Sequence, residues 1–120
     1  MSDAGLSKRG QWVSTINDSP ATGAAPTLSF TVPTGCVLIG TFTQFSEAGG
    51  ANNIGCARLI NNTTSGYAAM ISYGGAATSG EKYGITIPVH LPAGVYTSDW
   101  IKAPAGVANI IALIGNVYRV

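Results

Sequence analysis

The sequence predicts an all-β protein: an antiparallel β-sandwich or jelly roll preceded by an extended N-terminal arm. Three observations carry that expectation. Good helix formers such as Glu, Lys, Gln and Leu are scarce in this chain of 120 residues, while Thr, Ile and Val are plentiful and 16 Gly recur every few positions. β-Branched residues suit a pleated, half-buried surface, and glycine weakens a helix. Apolar residues alternate with polar ones in several short runs, which is the period of a strand. Pro-x-Gly triplets separate those runs at Pro33-Thr34-Gly35, Pro92-Ala93-Gly94 and Pro104-Ala105-Gly106. Proline presets the backbone for the second position of a turn, and glycine suits the fourth.

Residues 1–26 read as the arm and 27–120 as the sandwich. Lys8, Arg9, Trp12, Val13 and Ile16 lie in a segment without sustained alternation, closed by a loop-like stretch from Ser19 to Pro26. Such a segment docks on something: Trp12 either grips a neighbouring protein or covers the end of its own sandwich. Leu28, Phe30 and Val32 then alternate with Ser29 and Thr31 as a first strand, followed by Cys36 to Phe45, with Gly40 as a bulge position. Ile54 to Ile60 and Tyr67 to Tyr73 form a pair joined by the turn formers from Asn61 to Gly66. Tyr83, Ile85, Ile87, Val89 and Leu91 alternate most strictly, and Pro88 among them marks an edge strand or bulge, since proline donates nothing to a ladder. Val95 to Lys102 and Val107 to Val120 complete about seven or eight short strands, the pattern of a sandwich.

The last strand is apolar on both sides. Ile110, Ala112 and Ile114 point one way, and Ile111, Leu113 and Val117 the other. A sheet with one solvated face alternates apolar and polar residues. One side of this strand therefore belongs to the core, and Ile110, Ala112 and Ile114 either meet another subunit or lie beneath the arm. Composition favours the subunit. Charged residues make up 9% of the chain, against roughly 25% in an ordinary soluble domain, and the stretches Ser19 to Ser46 and Leu59 to Gly80 carry none. So little surface charge suits a homo-oligomer more than a free monomer.

The same composition excludes function classes. A net charge of +1 gives no footprint for nucleic acid or acidic lipid. No apolar run approaches the roughly 20 residues of a membrane-spanning helix, and the first residues lack the apolar stretch of a secretory signal. Catalysis finds no constellation. The 1 His is His90, in the polar phase of its strand, and reads as solvent-facing or loop-packing rather than catalytic. Asp3, Asp18, Glu47, Glu81 and Asp99 are spread over separate segments without a calcium pattern, and a Glu47–Glu81 pair across two loops is the minor alternative to no carboxylate pair. The 2 Cys, Cys36 and Cys56, fall on strands taken as neighbours and read as small buried hydrophobes rather than a disulfide. No cofactor and no metal are expected, and the chain is not expected to be an enzyme. Tyr67, Tyr73, Tyr83, Tyr96 and Trp100 either pack the core, the reading preferred here, or offer a stacking platform for sugars.

From Leu28 to Val120 the chain resembles the small jelly-roll modules of tailed-phage virions and, more loosely, trimeric domains of the tumour-necrosis-factor and C1q type. The resemblance lies in Phe30-Thr31-Val32-Pro33-Thr34-Gly35, in Leu91-Pro92-Ala93-Gly94-Val95-Tyr96 and in the closing Ile110 to Val120. It implies a virion component, most often trimeric, and transfers no catalytic residue. A capsid decoration or cement protein is the expected function, with Lys8, Arg9, Trp12 and Ile16 docking on the major capsid protein or another virion protein. The alternative is the receptor-binding tip of a tail fibre that recognises a host glycan. The short arm, where a fibre tip would follow a long shaft, favours decoration.

Overall fold

The computed structural model describes residues 9–19, 23, 25–47, 55–73, 82–102 and 109–120. Every named element is a strand: β1 Trp12–Asp18, β2 Ser29–Glu47, β3 Gly55–Asn61, β4 Gly66–Tyr73, β5 Lys82–Lys102 and β6 Asn109–Arg119. They form one six-stranded sheet in the order β1-β6-β2-β5-β3-β4, and every pairing is antiparallel. The all-β antiparallel class is therefore the observed one.

The strands are fewer and longer than the alternation suggests, and the difference has a backbone cause. Pro33-Thr34-Gly35 does not reverse the chain. It sits inside the 19-residue β2 as a bulge: Val32 pairs with Gly94 and Val37 with Pro92, so residues 33–36 face Ala93 alone. Gly35 takes a φ of 77° there, which glycine adopts without steric cost. The Pro92–Gly94 triplet is likewise absorbed into the 21-residue β5. Residues 12–18 of the N-terminal segment, for which no alternation was legible, lie along β6 as the edge strand β1. The third triplet, Pro104 to Gly106, and the loops at Gly49-Gly50 and Gly74 to Gly80 lie outside the described residues.

The bulge divides the sheet into two wings that share β2 and β5. In one wing, residues 36–46 of β2 pair with β6, and residues 37–47 of β2 pair with residues 82–92 of β5. In the other, residues 29–32 of β2 pair with 94–97 of β5, and β5 continues onto β3 and β4. A single flat layer cannot remove side chains from water completely. Yet Leu38, Phe42, Ile111, Leu113 and Val117 of the first wing and Ala57, Leu59 and Tyr96 of the second are all 0% exposed and belong to one cluster. The sheet thus closes over its own inner face, and the core sits between the wings. Phe30 stacks on Tyr96 with ring centroids 5.1 Å apart, an arrangement worth about 0.5–1.5 kcal/mol beyond its buried area.

Buried polar groups are tied down at the second wing. The Tyr96 hydroxyl donates to the Pro92 carbonyl at 2.6 Å and accepts from Asn61 Nδ2 at 3.2 Å. The Leu28 amide donates to Ser98 Oγ at 2.7 Å, and Trp100 Nε1 donates to the Pro26 carbonyl at 2.7 Å. Gly94 has no Cβ because one placed there would lie 2.6 Å from Asn61 Oδ1. Gly40 is no bulge, since pairing runs through it without a break on both sides. It is required by close approach instead: a Cβ there would lie 2.1 Å from the Ile114 carbonyl oxygen and 2.5 Å from Gly115 Cα.

Cys36 and Cys56 are free thiols. They do not occupy neighbouring strands as expected, because β5 runs between β2 and β3. Pro88, paired with Thr41, lies on a stretch of β5 whose named partner is β2 alone.

Candidate interaction surface

The outward side of the β6 wing is built by alternation. In β6, Asn109, Ile111, Leu113, Gly115 and Val117 are buried, which turns Ile110, Ala112, Ile114, Asn116 and Tyr118 outward. Cross-strand pairing then sets the rows of this face. Trp12 stands beside Tyr118 and Val37; Thr15 beside Asn116, Ile39 and His90; Asn17 beside Ile114, Thr41 and Pro88; Ala112 beside Thr43; and Ile110 beside Phe45. None of these residues is an Asp, Glu, Lys or Arg. Trp12 is 57% exposed, Ile39 51% and Ile114 48%. Trp12 keeps its ring on this face through Nε1, which donates to Asn116 Oδ1 at 3.3 Å, and Thr15 Oγ1 donates to the same oxygen at 2.8 Å.

The structure separates the residues expected in the docking arm. Arg9 and Trp12 are exposed on the side just described, whereas Ile16 turns inward and packs against the core cluster. Lys8 lies outside the described residues. Trp12 does not cap the end of the core, because its neighbours are Tyr118 and Asn116 of the outer face. Ile110, Ala112 and Ile114 share that outer face with Trp12, and the core-side partners Ile111, Leu113 and Val117 are 0% exposed. Sequence reasoning missed Ile39, whose exposure the alternation of β2 carries but whose place beside Asn116 and His90 only the register reveals.

The outward side of the β3 wing is different. Arg58 Nε donates to Asp99 Oδ1 at 2.5 Å and Nη2 to Oδ2 at 2.9 Å, a two-pronged carboxylate contact. Nη1 donates to the Tyr67 hydroxyl at 2.6 Å, and the guanidinium carbon lies 4.6 Å from the Tyr67 ring centroid. The hydrogen bond from Arg58 to Asp99 raises the guanidinium pKa above its ordinary value, against a smaller opposing effect of burial. Tyr67 is 64% exposed. Among the aromatics considered as a sugar platform, Tyr96 is buried and Trp100 half-buried, which leaves Tyr67 as the open ring. The side chains of Tyr73 and Tyr83 lie outside the described residues.

Among the described residues no group of three or more His, Cys, Asp or Glu stands where it could hold a metal ion. Asp18 accepts from the Ser29 amide at 2.9 Å, and Asp99 is taken by Arg58. Glu81 lies outside the described residues. Among the described residues no helix is long and apolar enough to cross a membrane.

No protein-family model matches this chain, and no curated protein sequence does. Its backbone is similar to a carbohydrate-binding module of Cellvibrio mixtus lichenase 5A, solved with cellotriose, at a TM-score of 0.43 and 13% identity over 95% of this chain and 93% of that one. It is also similar to the virus-like particle of the extra small virus of the prawn Macrobrachium rosenbergii, at a TM-score of 0.33 and 13% identity over 87% and 77% of the two chains. Similarity of this degree assigns this chain neither a ligand nor a partner.

Proposed function

We propose that this chain is a non-enzymatic structural virion protein, a capsid decoration or cement protein that assembles as an oligomer, a trimer by preference, and docks on the shell. The observation that supports it is the outer face of the β6 wing. Apolar side chains at Trp12, Ile39 and Ile114 stand half-exposed there among Thr and Asn in rows that hold no Asp, Glu, Lys or Arg, and exposed apolar surface rimmed by polar residues marks interaction sites. Desolvating those rows costs little, whereas Arg9 and Arg119 at their end resist burial unless a partner pairs them. Ile110, Ala112 and Ile114 serve the contact between copies, and Trp12 with Arg9 serves attachment to the shell.

The test is attachment of the purified chain to undecorated shells of its virus, followed by co-sedimentation. Trp12→Ala should weaken attachment by about 30-fold, the loss of a tryptophan anchor worth about 2 kcal/mol, and light scattering should give a mass above the 12.2 kDa monomer. A monodisperse monomer, or attachment indifferent to Trp12, overturns the proposal.

A second reading has one observation in its favour. Tyr67 presents a ring that Arg58 holds in place, a rigid surface on which a glycan could stack. Glycan retention lost in Tyr67→Ala, together with a monomeric chain, would replace decoration by receptor binding.

A further inference from the structure

Where Arg9 and Gly10 run beside the end of β6, the outer face deepens into an open groove of about 520 Å3. Its floor is apolar: Val37, Ile39, Tyr118 and Val120. Its rim carries Arg9 and Arg119, held next to each other because the Gly10 amide donates to the Arg119 carbonyl at 2.7 Å. Arg58, by contrast, has its carboxylate in Asp99. Neither Arg9 nor Arg119 has an acidic partner among the described residues, and the carboxylates of Asp18 and Asp99 are engaged elsewhere. Two guanidiniums are thus concentrated on one apolar groove in a chain whose net charge is only +1.

We propose that this groove binds an apolar peptide segment that carries a carboxylate, contributed by the protein on which the chain docks. The proposal deepens the docking reading above and rests on it. Charge complementarity selects the occupant: the planar guanidinium fork matches a carboxylate in two-pronged geometry, and the aliphatic floor takes the flanking side chains. A small inorganic anion leaves the floor uncovered. A fatty acid needs walls that enclose its tail, whereas this groove stays open and needs an occupant that brings its own cover. His90, on its wall, also lines a second cavity of about 200 Å3 beside Tyr67. The floor residues Val37, Ile39 and Tyr118 are continuous with the rows that hold Trp12, and one partner can therefore cover both.

The experiment is an amide-detected magnetic-resonance titration of the full chain with three probes: a capped Val-Leu-Glu-Val-Leu peptide, its Gln counterpart, and octanoate. The Glu peptide should shift the amides of Ile39, Tyr118, Arg119 and Val120, with the Gln peptide at least tenfold weaker. Arg119→Gln should bring the Glu peptide down to the Gln level while the β3 and β4 amides keep their positions, which shows that the variant is folded. Equal binding of the two peptides, no shift in the groove, or octanoate binding as tightly as the Glu peptide overturns the proposal. Shell attachment that depends on Trp12 beside a silent groove overturns the groove alone. A groove that takes the Glu peptide in a chain that never attaches to shells overturns the docking reading alone.

Discussion

On the β6 wing the outward rows from Trp12 and Tyr118 to Ile110 and Phe45 hold no charge, whereas on the β3 wing the outward face centres on Arg58 and Asp99 with Tyr67 laid against them. Both faces expose large apolar side chains: Ile114 and Met70 are each 48% exposed. Hydrophobicity therefore does not distinguish them. The difference lies in what covering each face would cost. An exposed ion pair adds little stability in water, but taking it out of water carries a desolvation penalty that its own attraction need not repay. The β3 wing is built to remain wet. The outward rows of the β6 wing carry no such pair, and the guanidiniums of that side, Arg9 and Arg119, stand at one end of it; that, more than its apolar content, is why we assign contact with other protein to those rows.

The largest effect should come from the joint on which the charge-free face is built. Gly40→Ala places a methyl against the backbone of Ile114 and Gly115, and neither strand can yield without breaking its ladder. Thermal melting should report a loss of about 3 kcal/mol or more, the upper end of overpacking costs. A variant that melts with the unmutated chain would show that β2 and β6 do not approach this closely. Next comes a matched pair of charges. Ile114→Asp should weaken self-association by about 30-fold, as a lost anchor of about 2 kcal/mol would, while Met70→Asp at the same exposure should leave the oligomer intact. If light scattering finds that both or neither dissociate, the contrast between the faces is wrong.

A smaller loss belongs to the interior of the β3 wing. Tyr96→Phe removes the donor to the Pro92 carbonyl and the acceptor for Asn61 and should cost about 1–2 kcal/mol, with assembly unchanged. The Tyr96 pKa is raised above its ordinary 10.0, chiefly by burial, with the Asn61 hydrogen bond pulling the other way. The folded chain therefore holds this proton to higher pH than the unfolded chain does. Its stabilising contribution is complete below the ordinary tyrosine range and falls as pH rises through the folded value. The melting-temperature advantage over Tyr96→Phe should accordingly shrink above about pH 10, and an advantage that grows there would contradict the buried hydroxyl. Smallest of all is Asp99→Asn. It should free Tyr67, visible as a change in tyrosine fluorescence, yet leave both melting and oligomer mass close to the unmutated chain.

Much of this was legible because strands write themselves in period two. The outward and inward halves of β6 follow from Ile110 to Val117 alone, and the β3–β4 hairpin follows from turn formers between two alternating runs. Pro-x-Gly misled, because the same residues that turn a chain also let a continuing strand bulge, and only the partner register at Val32 and Val37 distinguishes the two. β1 was hidden for a different reason: Trp12, Ser14 and Thr15 do not alternate cleanly, and a register shift between Trp12 and Ser14 breaks the period. The groove was not legible at all. Arg9 and Arg119 stand at opposite ends of the sequence, and nothing in either segment says that they share a rim.

Strand order has a consequence for how this chain is made. β6 lies between β1 and β2, so β1, though made before every other named strand, has no place in the sheet until β6, the last of the named strands, arrives. Throughout synthesis Trp12 to Asp18 must wait unpaired, and β2 must wait with one of its edges open beside it. The sheet is completed by threading its final strand into a gap, and the rows of the outer face are complete only at that moment. A copy in which β6 has not yet docked therefore lacks Ile110, Ala112 and Ile114 on that face, the residues we propose for contact between copies.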